Sequence, residues 1–171
     1  MFACWTRGTR NRGSAPVARI NWPDEVPVKQ SRIPTIEELD RHAHDLADAF
    51  DILLLLDEKY PLGYGRAAIV ILREDEIPED LRLLVAPDTI VKIVAAPPIT
   101  DETSYAAVLH EMGHHCSPTG FDKTLGTMLR EESAWEWAEY YALHWSVAMA
   151  HLKEIALGTY RRAIDKRNRS R

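Results

Sequence analysis

Residues 108–116 read VLHEMGHHC, which places three histidines and a glutamate within nine positions. His110, Glu111 and His114 form an H-E-x-x-H pattern. On a helix, side chains four apart stand on one face with Cβ atoms about 5–6 Å apart, so two imidazoles can share one zinc ion. Glu111 then stands beside the metal-bound water, able to take its proton as the water attacks a carbonyl and to hand it to the departing amine. With 7 histidines in the chain, chance supplies about 0.02 such patterns in a sequence of this length, so a metal site is the stronger reading.

The surrounding sequence predicts the helix that this pattern needs. Thr100 or Asp101 serves as its cap, Asp101 and Glu102 put acid in the first turn, and Ala106, Val108, Leu109 and Met112 recur at helical spacing. Gly113 costs about 1 kcal/mol against alanine inside a helix, which points to another element packed closely there. Upstream, GRAAIVILRED (residues 65–75) and TIVKIVAAPPIT (residues 89–100) are short and β-branched and read as buried strands, the second ended by Pro97 and Pro98.

A catalytic zinc keeps three protein ligands and one open position, so a third ligand is required. The segment REESAWEWAEYYALHW (residues 130–145) supplies it, on a helix expected from Thr127 to about His151. Glu131 heads the row 131, 134, 138, 141, 145, whose other members are Ala, Ala, Tyr and Trp. A carboxylate on a buried stripe needs a partner, and zinc would be one. Glu132 is the alternative third ligand, because one residue of shift turns a helix by about 100°. Glu136 and Glu139 read as a solvated acidic face. Ala134 and Ala138 would let this helix approach the histidine helix closely.

These residues resemble the gluzincin metallopeptidases, in which an H-E-x-x-H helix is followed by a helix carrying a glutamate ligand. Within that group the chain is similar to the small ImmA/IrrE-like metallopeptidases of phages and mobile elements, which carry H-E-x-G-H and a later E-x-x-A-x-x-F-A. Here the second motif is EESAWEWA, with Trp137 at the aromatic position, and the Leu-Met-Pro continuation is absent. The likeness covers residues 95–145. It implies a zincin-like α+β fold, with His110, His114 and Glu131 as zinc ligands and Glu111 as general base. It also implies that the strand before the metal helix, TIVKIVAA, offers its edge to an extended peptide.

Other residues near the motif have weaker claims. His115 and Cys116 lie off the face that His110 and His114 define. The oxyanion formed during hydrolysis needs a donor besides the metal, and His115, Tyr140, Tyr141 and His144 are the candidates. Trp135, Trp137 and Trp145 read as core, while His42 and His44 read as surface or supporting groups.

Composition bounds the rest. The chain has 171 residues, 46% of them apolar, enough for one globular domain, and its formal charge of −5 argues against a nucleic-acid partner. Basic residues gather only at the ends, as Arg7, Arg10 and Arg12 and again from Arg161 to Arg171. Cys4 and Cys116 are too far apart in kind and place to suggest a disulfide framework, so a reducing cytoplasm is expected. The longest apolar run, Ile52 to Leu56, falls far short of the roughly 20 residues that span a bilayer, so no membrane association is expected.

Three regions follow: an extended arm at 1–33, a zincin-like domain at 34–160 and a basic tail at 161–171. The domain should begin with a long helix from a Thr35/Glu38 capping box to about Lys59 and end with a short helix over 152–165. The expected activity is zinc-dependent hydrolysis of a peptide or protein substrate. The competing expectations are a zinc-stabilised regulatory or binding protein with little turnover, and a helical interaction module without metal.

Overall fold

The computed structural model describes residues 32–58, 66–72, 89–117, 119 and 126–169. The expected arm at 1–33 lies almost wholly outside them. In chain order the elements are α1 (Ile36–Ala49), β1 (Ile52–Leu56), β2 (Arg66–Leu72), β3 (Thr89–Ala96), α2 (Glu102–Cys116), α3 (Thr127–Tyr141) and α4 (Val147–Arg169). Among the described residues this is a mixed α+β arrangement of four helices and one small sheet. No described helix is long and apolar enough to cross a membrane.

α1 starts as the sequence predicts. Glu38 N–H donates to Thr35 Oγ1 at 3.3 Å and Thr35 N–H donates to Glu38 Oε2 at 2.8 Å, a complete capping box. The helix then ends at Ala49, ten residues before the expected Lys59. Asp51 adopts φ 54, a left-handed conformation that aspartate tolerates better than most residues and that stops a right-handed helix. Lys92 Nζ donates to the Phe50 carbonyl at 3.0 Å, placing a cation against the helix end. Residues 52–56 are apolar on every side, and that composition suits a strand covered on both faces better than the exposed turn of a helix. They form β1, with Ile52 buried and Leu54 and Leu56 packed on the core.

The sheet order is β1-β3-β2, with β1 parallel to β3 and β2 antiparallel to it. β3 is therefore central, paired on both sides, and cannot offer the open edge expected of TIVKIVAA. The β-strands expected from both β-branched segments are present. The segment IPEDLRLLVAPD (residues 77–88), whose sequence suggests a turn or short helix, lies outside the described residues.

α2 begins at Asp101, whose Oδ1 accepts from Ser104 N–H at 2.7 Å. It is the central helix, packed against α1, α3, α4, β2 and β3. Surrounded in this way, it buries Tyr105, Leu109 and Met112 on one side and His110 and Gly113 on another, so it lacks a single polar face. Its core partners include Leu39, Ala43 and Ala47 of α1 and Val94 of β3. Trp135 and Trp137 are buried and Trp145 packs against the core, as their sequence context predicts.

The expected helix from Thr127 to His151 is in fact two helices. α3 stops at Tyr141, and α4 runs from Val147 to Arg169. Two polar contacts explain the break. The hydroxyl of Ser146 accepts from Met149 N–H at 3.3 Å, capping a new helix, and Leu143 N–H donates to the buried Tyr105 hydroxyl at 3.0 Å instead of to a helical carbonyl. α4 absorbs the short helix expected at 152–165 and continues through the basic residues up to Arg169. Lys166, Arg167 and Arg169 lie in its last turn, where they complement the negative end of the helix dipole.

Candidate metal centre

His110 and His114 lie one turn apart on α2, with ring centroids 4.7 Å apart. The His110 ring stacks on the Trp135 indole at 4.3 Å and an interplanar angle of 19°, so α3 fixes the plane of that imidazole. Gly113 explains how α3 comes so close. A Cβ on Gly113 would stand 2.4 Å from the Ala134 carbonyl oxygen and 2.9 Å from Ala134 Cα, so no side chain fits between the two backbones. The packing inferred from Gly113 and Ala134 in the sequence is thus present, and it is a backbone contact.

That approach brings Glu131 to the histidines. Glu131 Oε2 lies 3.2 Å from His110 Nε2 and 3.6 Å from His114 Nε2. The three candidate ligand atoms all lie within 4.8 Å of one another. His110 and Glu131 are each only 7% exposed. Although close to both imidazoles, Glu131 Oε2 is buried without a hydrogen-bond partner. A buried carboxylate oxygen in that state is costly, and a cation shared with the two nitrogens would remove the cost. Burial alone would raise the Glu131 carboxyl; the two imidazoles facing it outweigh that and hold it down at about 2. Two imidazoles and one carboxylate so placed could hold a metal ion. His110, His114 and Glu131 are the only such cluster among the described residues.

Glu132 does not join them. It is turned toward α4, where Arg161 Nη2 lies 3.7 Å from its Oε1. Glu139 pairs with Lys153 of α4 at 2.6 Å, and Glu136 is exposed as expected. Glu111 projects toward the sheet, where its Oε2 accepts from the Ala67 N–H of β2 at 3.0 Å. The strand that meets the catalytic candidate is therefore β2.

Three of the residues expected to serve the oxyanion have other contacts. His115 Nε2 is 2.9 Å from the Ile93 carbonyl of β3, and burial lowers its pKa. Tyr141 packs on Phe50 and Trp137, and Tyr140 packs on Tyr141. Cys116 is a free thiol that burial pushes up to about 12, so it stays protonated and is a poor ligand.

A cleft of about 410 Å³ opens beside His110, lined on the α2 side by Ala107, on the α3 side by Trp135 and on the α4 side by Leu152, Ala156 and Tyr160. None of His115, Tyr140, Tyr141 and His144 lines it. Tyr160 is a site residue that the sequence reading passed over, because it lies at the edge of a segment read as a basic tail. Burial, then the negative charges of Glu131 and Glu111, push its phenol up to about 12. The signal available was the four-residue spacing of Leu152, Ala156 and Tyr160, which puts all three on one helix face. In comparisons with known proteins, the chain matches no family model, no curated protein and no solved structure.

Proposed function

We propose that this protein is a zinc metallopeptidase with a zincin-like fold. One observation carries the reading: the buried, unpartnered Glu131 Oε2 faces His110 Nε2 and His114 Nε2, so that three ligand atoms enclose one small space. His110, His114 and Glu131 would hold the ion. Bound zinc would supply a Lewis acid and lower the pKa of a coordinated water toward about 7.

The chain's own residues account for the rest of the chemistry. Glu111 accepts a proton on its carboxylate and returns it to the leaving amine, and the Ala67 N–H fixes the direction of that carboxylate. β2 runs beside Glu111, so an extended peptide would lie along this side of the sheet. The cleft next to His110, with Ala107, Trp135, Leu152 and Ala156 in its walls, has room for an apolar substrate side chain. The substrate class is thus a peptide or an exposed protein segment.

The burial of His110 and Glu131 also favours a second reading, a zinc-stabilised regulatory or binding protein without turnover. Glu111→Gln separates the two. With the zinc-loaded protein and a mixed peptide library read by mass spectrometry, the peptidase reading expects cleavage by wild type and a loss of about 10²–10⁴-fold in the variant, with zinc content retained. No cleavage by the zinc-loaded wild type, or equal cleavage by both proteins, would sink it.

A further inference from the structure

Glu139 meets Lys153 at one end and Glu132 meets Arg161 at the other, so α3 and α4 run antiparallel. The Glu132–Arg161 contact brings the turn of α4 that includes Tyr160 alongside the turn of α3 that includes Glu131. Tyr160 also lines the cleft beside His110. The Tyr160 phenol therefore lies near the Glu131 carboxylate and interacts with it.

Resting on the zinc reading given above, the geometry points to Tyr160 as the residue that positions Glu131: its hydroxyl donates to the carboxylate and holds it toward His110 and His114. A neutral phenol is a donor to a carboxylate and nothing in this contact calls for its ionisation. Carboxylates that bind metal are commonly oriented by such an outer hydrogen bond, and losing it typically costs 10–100-fold in metal affinity. The consequence is that α4, outside the span that contains the histidine helix and the glutamate helix, completes the metal centre.

The test needs no substrate. Zinc affinity is measured by competition with a chromophoric chelator on the full-length wild type, Tyr160→Phe, Tyr160→His and Arg161→Ala. Visible absorption spectra are recorded after loading the same proteins with cobalt. The expected result is a 10–100-fold weaker zinc affinity and an altered cobalt spectrum in Tyr160→Phe. Tyr160→His, which keeps a donor, should recover part of the affinity, and Arg161→Ala, which loosens the same helix pair without touching Glu131, should stay within about threefold of wild type. Equal affinity in wild type and Tyr160→Phe would overturn the proposal. So would equal losses in Tyr160→Phe and Arg161→Ala, or a metal-free Tyr160→Phe that melts far below metal-free wild type, since either outcome would make Tyr160 a packing residue. Wild type that takes up no zinc would instead bring down the metal reading itself, and this proposal with it.

Discussion

A Cβ built on Gly113 would stand 2.4 Å from the carbonyl oxygen of Ala134, which makes the α2/α3 contact one of backbone against backbone. Atoms of a neighbouring helix backbone cannot swing aside as the end of a flexible side chain can, so a methyl group here must push the helices apart. The row that moves includes Glu131, one turn before Ala134.

Gly113→Ala therefore tests packing and metal binding together. Helix propensity favours the alanine by about 1 kcal/mol. Overpacking a site with no slack costs about 1–3 kcal/mol and here outweighs that gain. The expected variant has a lower urea midpoint and a reduced zinc content after purification without chelator. A variant more stable than wild type that carries a full equivalent of zinc would contradict the contact.

Metal content discriminates between the two glutamates. Glu131→Gln should lose stoichiometric zinc, whereas Glu132→Ala should keep it, because Glu132 pairs with Arg161 across a partly exposed surface. The Glu132 change should cost no more than about 1 kcal/mol, the ordinary worth of such a pair. Inductively coupled plasma mass spectrometry on the purified proteins decides it, and zinc retained by Glu131→Gln but lost from Glu132→Ala would reverse the assignment.

Zinc should also stabilise the fold. A ligand that binds only the native state adds about 2.7 kcal/mol at a free concentration 100 times its Kd. Thermal denaturation with and without a chelator should show a clear fall in Tm on chelation for wild type and none for His110→Ala. An unchanged wild-type Tm would mean that the histidine and glutamate cluster holds no ion.

Tyr105 and His42 predict a pH dependence away from the metal centre. The Tyr105 hydroxyl is 2.8 Å from His42 Nδ1 and accepts from Leu143 N–H, so it serves α1, α2 and the α3–α4 junction at once. Donation from the phenol requires a neutral imidazole, and burial lowers the His42 pKa from its ordinary 6.5. The unfolded chain then binds the proton more readily than the folded one. This contribution is complete above pH 6.5 and is lost as pH falls from there through the folded value. Urea midpoints should be lower at acid pH than at neutral pH, and His42→Gln should flatten that part of the difference. A wild-type midpoint that rises on acidification through this range would contradict it.

Local patterns in the sequence were sufficient for several features. The capping box at Thr35 and the cap at Thr100 or Asp101 marked helix starts because the hydrogen bonds involved span only three residues. The i, i+4 spacing of His110 and His114 places both imidazoles on one side of α2 through helix geometry alone. The β-branched runs of β2 and β3 and the buried tryptophans of α3 were legible for the same reason.

Elsewhere the outcome depended on partners distant in the chain. Residues 52–56 fit a helical spacing and a strand equally well as text, and pairing with β3 decided for the strand. Nothing local shows that β3 lies between two neighbours and so lacks the open edge expected of it, or that β2 is the strand whose Ala67 N–H meets Glu111. The break after Tyr141 came from a hydroxyl 38 residues away in the sequence. Sequence alone named both Glu131 and Glu132; the tertiary structure brings Glu131 to the histidines, because Gly113 against Ala134 fixes the depth of α3, while Glu132 lies by Arg161 of α4. Side-chain type and helical periodicity are properties of a short segment, whereas the direction a carboxylate faces depends on which backbone lies opposite it.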